Sequence, residues 1–342
     1  MIAAASAAVV SIDKDHFLLD GKLTYSDIPT SPEKVRGLLL GACTTQALFD
    51  DENPATRTEW QYPDKTSYDA NRQTDELIAA LESYREVGVV AIRVNLQGDT
   101  PMLGEFLTRQ QWITSAFAED GSLKPAYTAR LERLLKAADE CRIVVIVGLF
   151  YQGQDQRLKD EAAARNAIAQ AGKWLAASGH RNVMIEIAGD SGLAFDHALL
   201  RPARVHEAVR LARQASGGAI PVSCGFAPGS VPPRAAVDAC DYVTLNGSGL
   251  SDAIIKRLVE AVRSAGKPIV FNVGSASGGN LQAAVDAGAS WLFFEQGRSG
   301  YQDGFQTPPT DWEIDTDSKY DYFEKLAEIV GLREVAEAEP AK

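Results

Sequence analysis

Arg93 and three carboxylates stand in or just after apolar runs of this sequence, where a charged side chain needs a partner. Glu186 and Asp190 share one parity along their run, and Glu295 ends another run. Arg93 could form a buried structural ion pair with Glu186 or Glu295. Alternatively, Arg93 tunes a carboxylate that takes part in the chemistry of a site. The residue types alone leave both interpretations open.

Uncharged polar and aromatic side chains follow the same runs. Amides and a tyrosine hydroxyl at strand ends suit hydrogen bonding to a polyol, and they could equally brace loops. Tryptophans in or next to loops could stack on a sugar ring or pack the loop itself. The candidate ligand-binding residues are Asn95, Gln97, Tyr151, Gln154, Asn246, Asn272, Trp112 and Trp60.

The sequence gives little support for other kinds of catalytic centre. The four histidines are not at strand ends, and no Ser-His-Asp pattern is visible. The four cysteines form no CxxC pair and no zinc-ligand spacing, so we expect neither a metal nor a cofactor. The glycine-rich loop Gly274–Gly279 precedes a helical stretch and could cradle phosphate, or it is an ordinary flexible loop.

Eight short apolar runs alternate with amphipathic stretches, which predicts a parallel sheet covered by helices. The predicted strands are Val35–Gly41, Val89–Gln97, Ile143–Phe150, Val183–Ala188, Pro221–Phe226, Tyr242–Asn246, Pro268–Val273 and Ser290–Glu295. The predicted helices are Thr74–Val87, Pro125–Cys141, Ala162–Ser178, Arg204–Ser216, Pro233–Ala239, Ser251–Ala265, Asn280–Ala287 and Ser318–Val330.

Eight such units in a row favour a single-domain (β/α)8 barrel over residues 1–342, with a doubly wound open sheet as the alternative. Residues 1–34 form an N-terminal extension, in which Val9–Tyr25 could be a hairpin at the bottom of the barrel. We expect residues 332–342 to form a charged, frayed tail. The long loops Cys43–Gln73, Gly98–Lys124 and Gly297–Thr316 would all lie at the C-terminal ends of the strands, where this fold builds its sites.

The amino-acid composition limits the kinds of partner that this protein can bind. The formal net charge of −12 disfavours nucleic acid and anionic membranes, and no apolar run is long enough to span a bilayer. We expect a small-molecule or oligosaccharide ligand and leave the oligomeric state open. The start of the chain lacks the basic flank of a signal peptide, so the expected location is cytoplasmic, or secreted with a leader removed.

Several stretches together resemble the cellulase-like, family 5-like glycoside hydrolases of the large retaining (β/α)8 clan. They are Phe49–Arg57, Asn95–Gly98, Phe150–Asp160, Arg181–Ile187, Lys267–Asn272 and Gly304–Pro309. The resemblance spans most of the chain and implies action on carbohydrate. It also matches Arg93 to the family's second-strand arginine, which braces the nucleophile.

The chain departs from the pattern of that family at its catalytic positions. The family's Asn-Glu pair after the fourth strand is Gly189-Asp190 here, and Val273 stands where the nucleophilic Glu would align. Asn246 replaces the usual His or Tyr after the sixth strand. Asp190, Glu295 and Arg93 are therefore the candidate catalytic residues, with the two carboxyls acting in displaced or inverting geometry.

Three functions follow from this pattern. The first is a glycoside-hydrolase-like enzyme with altered carboxylates. The second is a degenerate or repurposed scaffold, natural or engineered, that binds a ligand without hydrolysing glycosides. The third is a phosphate-binding barrel enzyme that uses Gly274–Gly279.

Overall fold

A three-stranded antiparallel sheet opens the chain in the computed structural model, which describes residues 7–100, 110–192, 194–275, 277–294 and 304–333. Its strands are β1 (Val10–Asp13), β2 (His16–Leu19) and β3 (Lys22–Leu23). The Phe17 ring packs edge-on against Tyr242, and the Tyr25 hydroxyl donates to the Gly88 carbonyl at 2.9 Å. Both contacts lie where barrel strands begin, so this sheet covers the N-terminal end of the barrel.

Eight parallel strands form the barrel itself, in the order β8-β7-β6-β5-β4-β11-β10-β9. These strands are buried on both faces, which explains their nearly continuous apolar sequences. They are β4 (Leu40–Cys43), β5 (Ala91–Asn95), β6 (Val144–Phe150), β7 (Val183–Ala188), β8 (Val222–Ser223), β9 (Val243–Leu245), β10 (Ile269–Gly274) and β11 (Ser290–Phe293).

Hydrogen bonds outside the strand ladders complete the barrel between β8 and β9. The Ser223 hydroxyl donates to the Tyr242 carbonyl at 2.6 Å and accepts from the Thr244 hydroxyl at 2.9 Å. The Asp241 N–H donates to the Val222 carbonyl at 2.8 Å. These bonds join the two ends of the sheet, so the predicted (β/α)8 barrel is confirmed and the open doubly wound sheet is excluded.

Eight α-helices in the described ranges surround the strands. They are α1 (Ala70–Glu86), α2 (Pro125–Glu140), α3 (Glu161–Ala177), α4 (Val205–Ala215), α5 (Arg234–Ala239), α6 (Asp252–Arg263), α7 (Gly278–Asp286) and α8 (Asp317–Val330). No helix in the described part of the chain is both long and apolar enough to cross a membrane.

The predicted elements differ from the observed ones mainly at their ends. Helix α1 begins four residues before the predicted Thr74, because the Asp69 carboxylate accepts from the N–H groups of Asn71 and Arg72. The fifth strand, predicted over Pro221–Phe226, is reduced to β8. The first strand begins later than predicted, at Leu40.

Candidate functional site

A cavity of about 280 Å³ opens at the C-terminal ends of the barrel strands. Two carboxyl side chains, a tyrosine and three amides supply most of its polar lining, and Val273 and Phe294 are among the apolar residues. The polar residues are Asp99, Tyr151, Gln152, Asp190, Asn246 and Gln306. Tyr151 directly follows β6 and Asn246 directly follows β9, so the cavity lies on the face predicted for the site.

Beneath the cavity, Arg93 and Glu186 form a buried ion pair. Arg93 is 3% exposed and Glu186 is 1% exposed, and the Arg93 Nε donates to Glu186 Oε2 at 2.5 Å. The other carboxylate oxygen accepts from the Asn272 amide at 2.9 Å. The first of the two structural pairs considered from the sequence is therefore present. Arg93 also lines the cavity, so the same side chain belongs to both the ion pair and the candidate site.

Gly189 makes room for the Arg93 guanidinium. A Cβ atom at position 189 would lie only 2.2 Å from Arg93 Nη2. Any side chain at this position would require the guanidinium to move from where it lies. The glycine at this position therefore has a steric reason in this chain.

Asp190 presents a poorly solvated carboxyl to the cavity. Its Oδ1 atom is buried and has no hydrogen-bond partner among the described residues. Burial, followed by the nearby charge of Asp99, raises the pKa of Asp190 to about 6. This carboxyl therefore keeps its proton into the weakly acidic range, as a general acid must.

Asp99 is a second carboxyl in the cavity, and the sequence reasoning missed it. Burial raises its pKa, while the Arg93 charge, the Thr100 N–H and the Tyr151 hydroxyl oppose that rise. A signal was available, because Asp99 continues the every-second-residue alternation of Arg93, Asn95 and Gln97. The alternation runs past the end of β5 into the loop.

The other predicted ligand-binding residues divide into two groups. Tyr151 and Asn246 line the cavity, and Asn246 Oδ1 accepts from the Ser248 N–H at 2.9 Å. Asn272 and Asn95 are buried below it, and neither amide atom of Asn95 has a partner among the described residues. Glu295, predicted as a catalytic carboxylate, lies outside the described residues.

Gln97 and Gln154 are loop braces in the structure, with no exposed surface, and not part of the cavity lining. The Gln97 amide donates to the Ser115 hydroxyl and to the Gln154 carbonyl, and its oxygen accepts from the Tyr151 N–H. The Gln154 side chain accepts from the Thr114 N–H at 3.1 Å. Side chains whose polar groups are already bonded to the protein have little to offer a ligand.

Trp60 and Trp112 pack against each other at 6.1 Å and, with Phe49, form a cluster of buried aromatic side chains. The indole of Trp60 donates to Asp51 at 2.9 Å, and that of Trp112 donates to Gln110 at 2.6 Å. At 3% and 5% exposure, their rings stabilise the long loops. The interpretation as loop packing fits these contacts better than sugar stacking does.

Asp155 connects the loop after β6 to the loop after β7, and both loops carry cavity residues. Its Oδ2 accepts from the Asp196 N–H at 2.9 Å and from the His197 N–H at 3.2 Å. The side chain has no exposed surface. Burial raises its pKa from 3.8 to about 7, although these hydrogen bonds oppose the rise.

We expect the stability of the fold to fall with rising pH because of Asp155. The folded state holds this proton more tightly than the unfolded chain, so its contribution is fully present below about pH 4 and is lost as pH rises through about 7. Relative to Asp155→Asn, wild type should lose at most roughly 4 kcal/mol between pH 4 and pH 8 in urea unfolding. The exposed Asp321→Asn is the control, and a pH-independent difference between wild type and Asp155→Asn would contradict the assignment.

Solved structures of several glycoside hydrolases are similar in fold to this chain. An endo-1,4-beta-mannanase from Rhizomucor miehei shares 11% identity with a TM-score of 0.60, covering 95% of this chain and 100% of its own. A beta-mannanase from the blue mussel Mytilus edulis shares 11% identity with a TM-score of 0.59, covering 94% and 97%. A GH5-4 broad specificity endoglucanase from Bacteroides salanitronis shares 12% identity with a TM-score of 0.56, covering 86% and 93%.

The chain has the (β/α)8 fold of these glycoside hydrolases. At such low identities the likeness establishes the fold and leaves the activity to the site. No family sequence model matches the chain, and no curated protein matches it by sequence.

Proposed function

We propose that this chain cleaves a glycosidic bond in the cavity, with Asp190 as the proton donor. The observation that carries the proposal is the position and state of this carboxyl. It follows the fourth barrel strand, faces the cavity, and stays protonated up to about pH 6. Departure of a sugar alcohol needs such a proton.

Asp99 is the second carboxyl that we assign to this reaction. Burial raises the pKa of Asp99, and Arg93, the Thr100 N–H and the Tyr151 hydroxyl oppose that rise. Burial and the charge of Asp99 both raise the pKa of Asp190. Two carboxyls whose surroundings differ in this way lose their protons in sequence. In the proposed reaction we assign Asp99 the negative charge that faces the developing positive charge of the sugar, or the activation of water. Glu295 keeps the role of an alternative partner.

Ligand binding without hydrolysis is the second candidate function. The observation that favours it is Val273, which lines the cavity at the end of β10 and offers no nucleophile. The neighbouring Asn272 side chain is directed to Glu186 and to the Gly189 carbonyl, each at 2.9 Å. The phosphate-binding alternative has less support. Ser277 already caps α7 by accepting from the Asn280 N–H, and the Asp252 carboxylate lies close to Gly279.

Turnover of a substrate panel tests the proposal. Because the structural neighbours include mannanases and an endoglucanase, the panel starts with β-1,4-linked manno- and cello-oligosaccharides, together with aryl glycosides of both anomers. We expect hydrolysis at pH 5 that falls about tenfold per pH unit above about 6, as Asp190 loses its proton. Binding of the same sugars by calorimetry without any product would favour the second function instead.

A further inference from the structure

Cys224 and Cys240 lie side by side at the shortest strand–helix unit of the described barrel. Cys224 directly follows β8, and Cys240 directly follows α5. Their Sγ atoms are 3.8 Å apart, although the two residues are 16 positions apart along the chain. We propose that these two thiols are a disulfide site, which is oxidised when the chain folds in the presence of a disulfide oxidant such as oxidised glutathione.

The backbone on either side of the two cysteines already holds the thiols together. Ser223, which precedes the first cysteine, donates its hydroxyl to the Tyr242 carbonyl at 2.6 Å. Asp241, which follows the second, donates its N–H to the Val222 carbonyl at 2.8 Å. A disulfide needs an S–S distance of about 2.0 Å, and the two sulfurs are already in van der Waals contact. The bond therefore requires a short approach between neighbouring side chains.

The other two cysteines are placed differently. The buried Cys43 donates its thiol to the Asn272 carbonyl. Cys141 is half-buried and follows α2. We therefore expect both of them to stay reduced under conditions that oxidise the proposed pair.

A disulfide at this place would support a short part of the barrel and the cavity beside it. β8 has 2 residues and α5 has 6, the fewest of any barrel strand and any α-helix in the described ranges. Gly225, which follows Cys224, donates its N–H to the Ala188 carbonyl at 2.8 Å and accepts from the Ser191 N–H at 2.9 Å. The disulfide would therefore stabilise the backbone that holds the segment of Asp190 in place.

Oxidation must precede the closure of β8 and α5, because the folded chain buries Cys224 and Cys240 to 1% and 3% exposure. One cysteine thiolate attacks oxidised glutathione, forms a mixed disulfide and releases one glutathione thiolate. The other cysteine then loses its proton, attacks the sulfur of the first cysteine and releases the second glutathione. The two cysteines lose two electrons and two protons in total, and one glutathione disulfide becomes two glutathione thiols.

Refolding with and without the oxidant tests the inference. The protein is unfolded and reduced in urea, and is then refolded either with oxidised and reduced glutathione or with reduced glutathione alone. Of the 4 cysteines, two should titrate as free thiols in the first sample and all should do so in the second. Trypsin cleaves after Arg234, between the two cysteines, so the disulfide should appear in the mass spectrum as two linked peptides.

The stability of the oxidised protein gives a second measurement. Oxidised wild type should unfold at roughly 0.5–1 M higher urea than reduced wild type, because the cross-link restricts the unfolded chain. In Cys240→Ser the two refolding conditions should give the same midpoint, whereas the matched control Cys141→Ser should keep the difference. The folded protein is also incubated with oxidised glutathione, since local opening of the unit would expose the pair without complete unfolding.

The outcomes decide the inference without reference to the proposed function, because oligosaccharide turnover needs no oxidant. A linked Cys224–Cys240 peptide after either treatment supports the disulfide site. Its absence after both treatments, or a linked peptide that contains Cys43 or Cys141 instead, overturns it. An oxidised midpoint no higher than the reduced one would overturn the stabilising role of the bond.

Discussion

Asp190→Asn is expected to lower the rate of oligosaccharide cleavage by about 10²- to 10⁴-fold, the usual contribution of a general acid. Asparagine keeps the size of the side chain and one oxygen but carries no acidic proton. The decrease in rate above about pH 6 should vanish in this variant, because the group that titrates there is gone. Steady-state kinetics from pH 4 to pH 8 measure both effects.

The leaving group of the substrate shows whether Asp190 acts as the acid. A dinitrophenyl glycoside releases a stable phenolate that needs no proton, so Asp190→Asn should slow it far less than it slows an oligosaccharide. Asp196→Asn, an exposed carboxyl in the same loop, is the matched control and should leave both rates unchanged. Equal losses on both substrates in Asp190→Asn would mean that this side chain binds the sugar and does not protonate it.

The fold could be predicted from the sequence because its signal is local and repeated eight times. Each buried strand is an apolar run, and each helix shows apolar residues at helical spacing. Element ends were less predictable, since they depend on single contacts such as the Asp69 cap of α1. The short β8 illustrates the same limit, because its apolar sequence extends beyond its ladder of hydrogen bonds.

The site could be predicted only in part, for a physical reason. A polar residue at a strand end either faces the cavity or bonds to a loop that folds back over it. Tyr151 and Asn246 do the first, whereas Gln97 and Gln154 do the second. The sequence shows where such a residue lies along the chain, but it does not show the path that the loop takes over the cavity. Asp99 escaped notice because it lies in a loop, although its parity with Arg93 places it on the same side.

Glu186→Gln should destabilise the fold by about 3 kcal/mol or more, because it leaves the Arg93 charge buried without its partner. Glutamine has nearly the same shape as glutamate. A loss of stability in this variant therefore comes from the missing charge and not from a packing cavity. Urea unfolding measures the effect. If the slope of the unfolding free energy against urea concentration is unchanged, the folded and unfolded states of the two proteins are comparable.

The double variant Arg93→Met with Glu186→Leu separates pairing from packing. Removing both charges together should recover most of the stability, since replacing a buried pair with apolar residues of similar size is often neutral or favourable. The exposed pair Arg234–Asp238 is the matched control, and Asp238→Asn there should cost less than about 1 kcal/mol. If Glu186→Gln lowers the free energy of unfolding no more than this control does, another group compensates the charge of Arg93. Asp99 is one group placed to compensate it, because a charge on Asp99 acts on Arg93 from the cavity side.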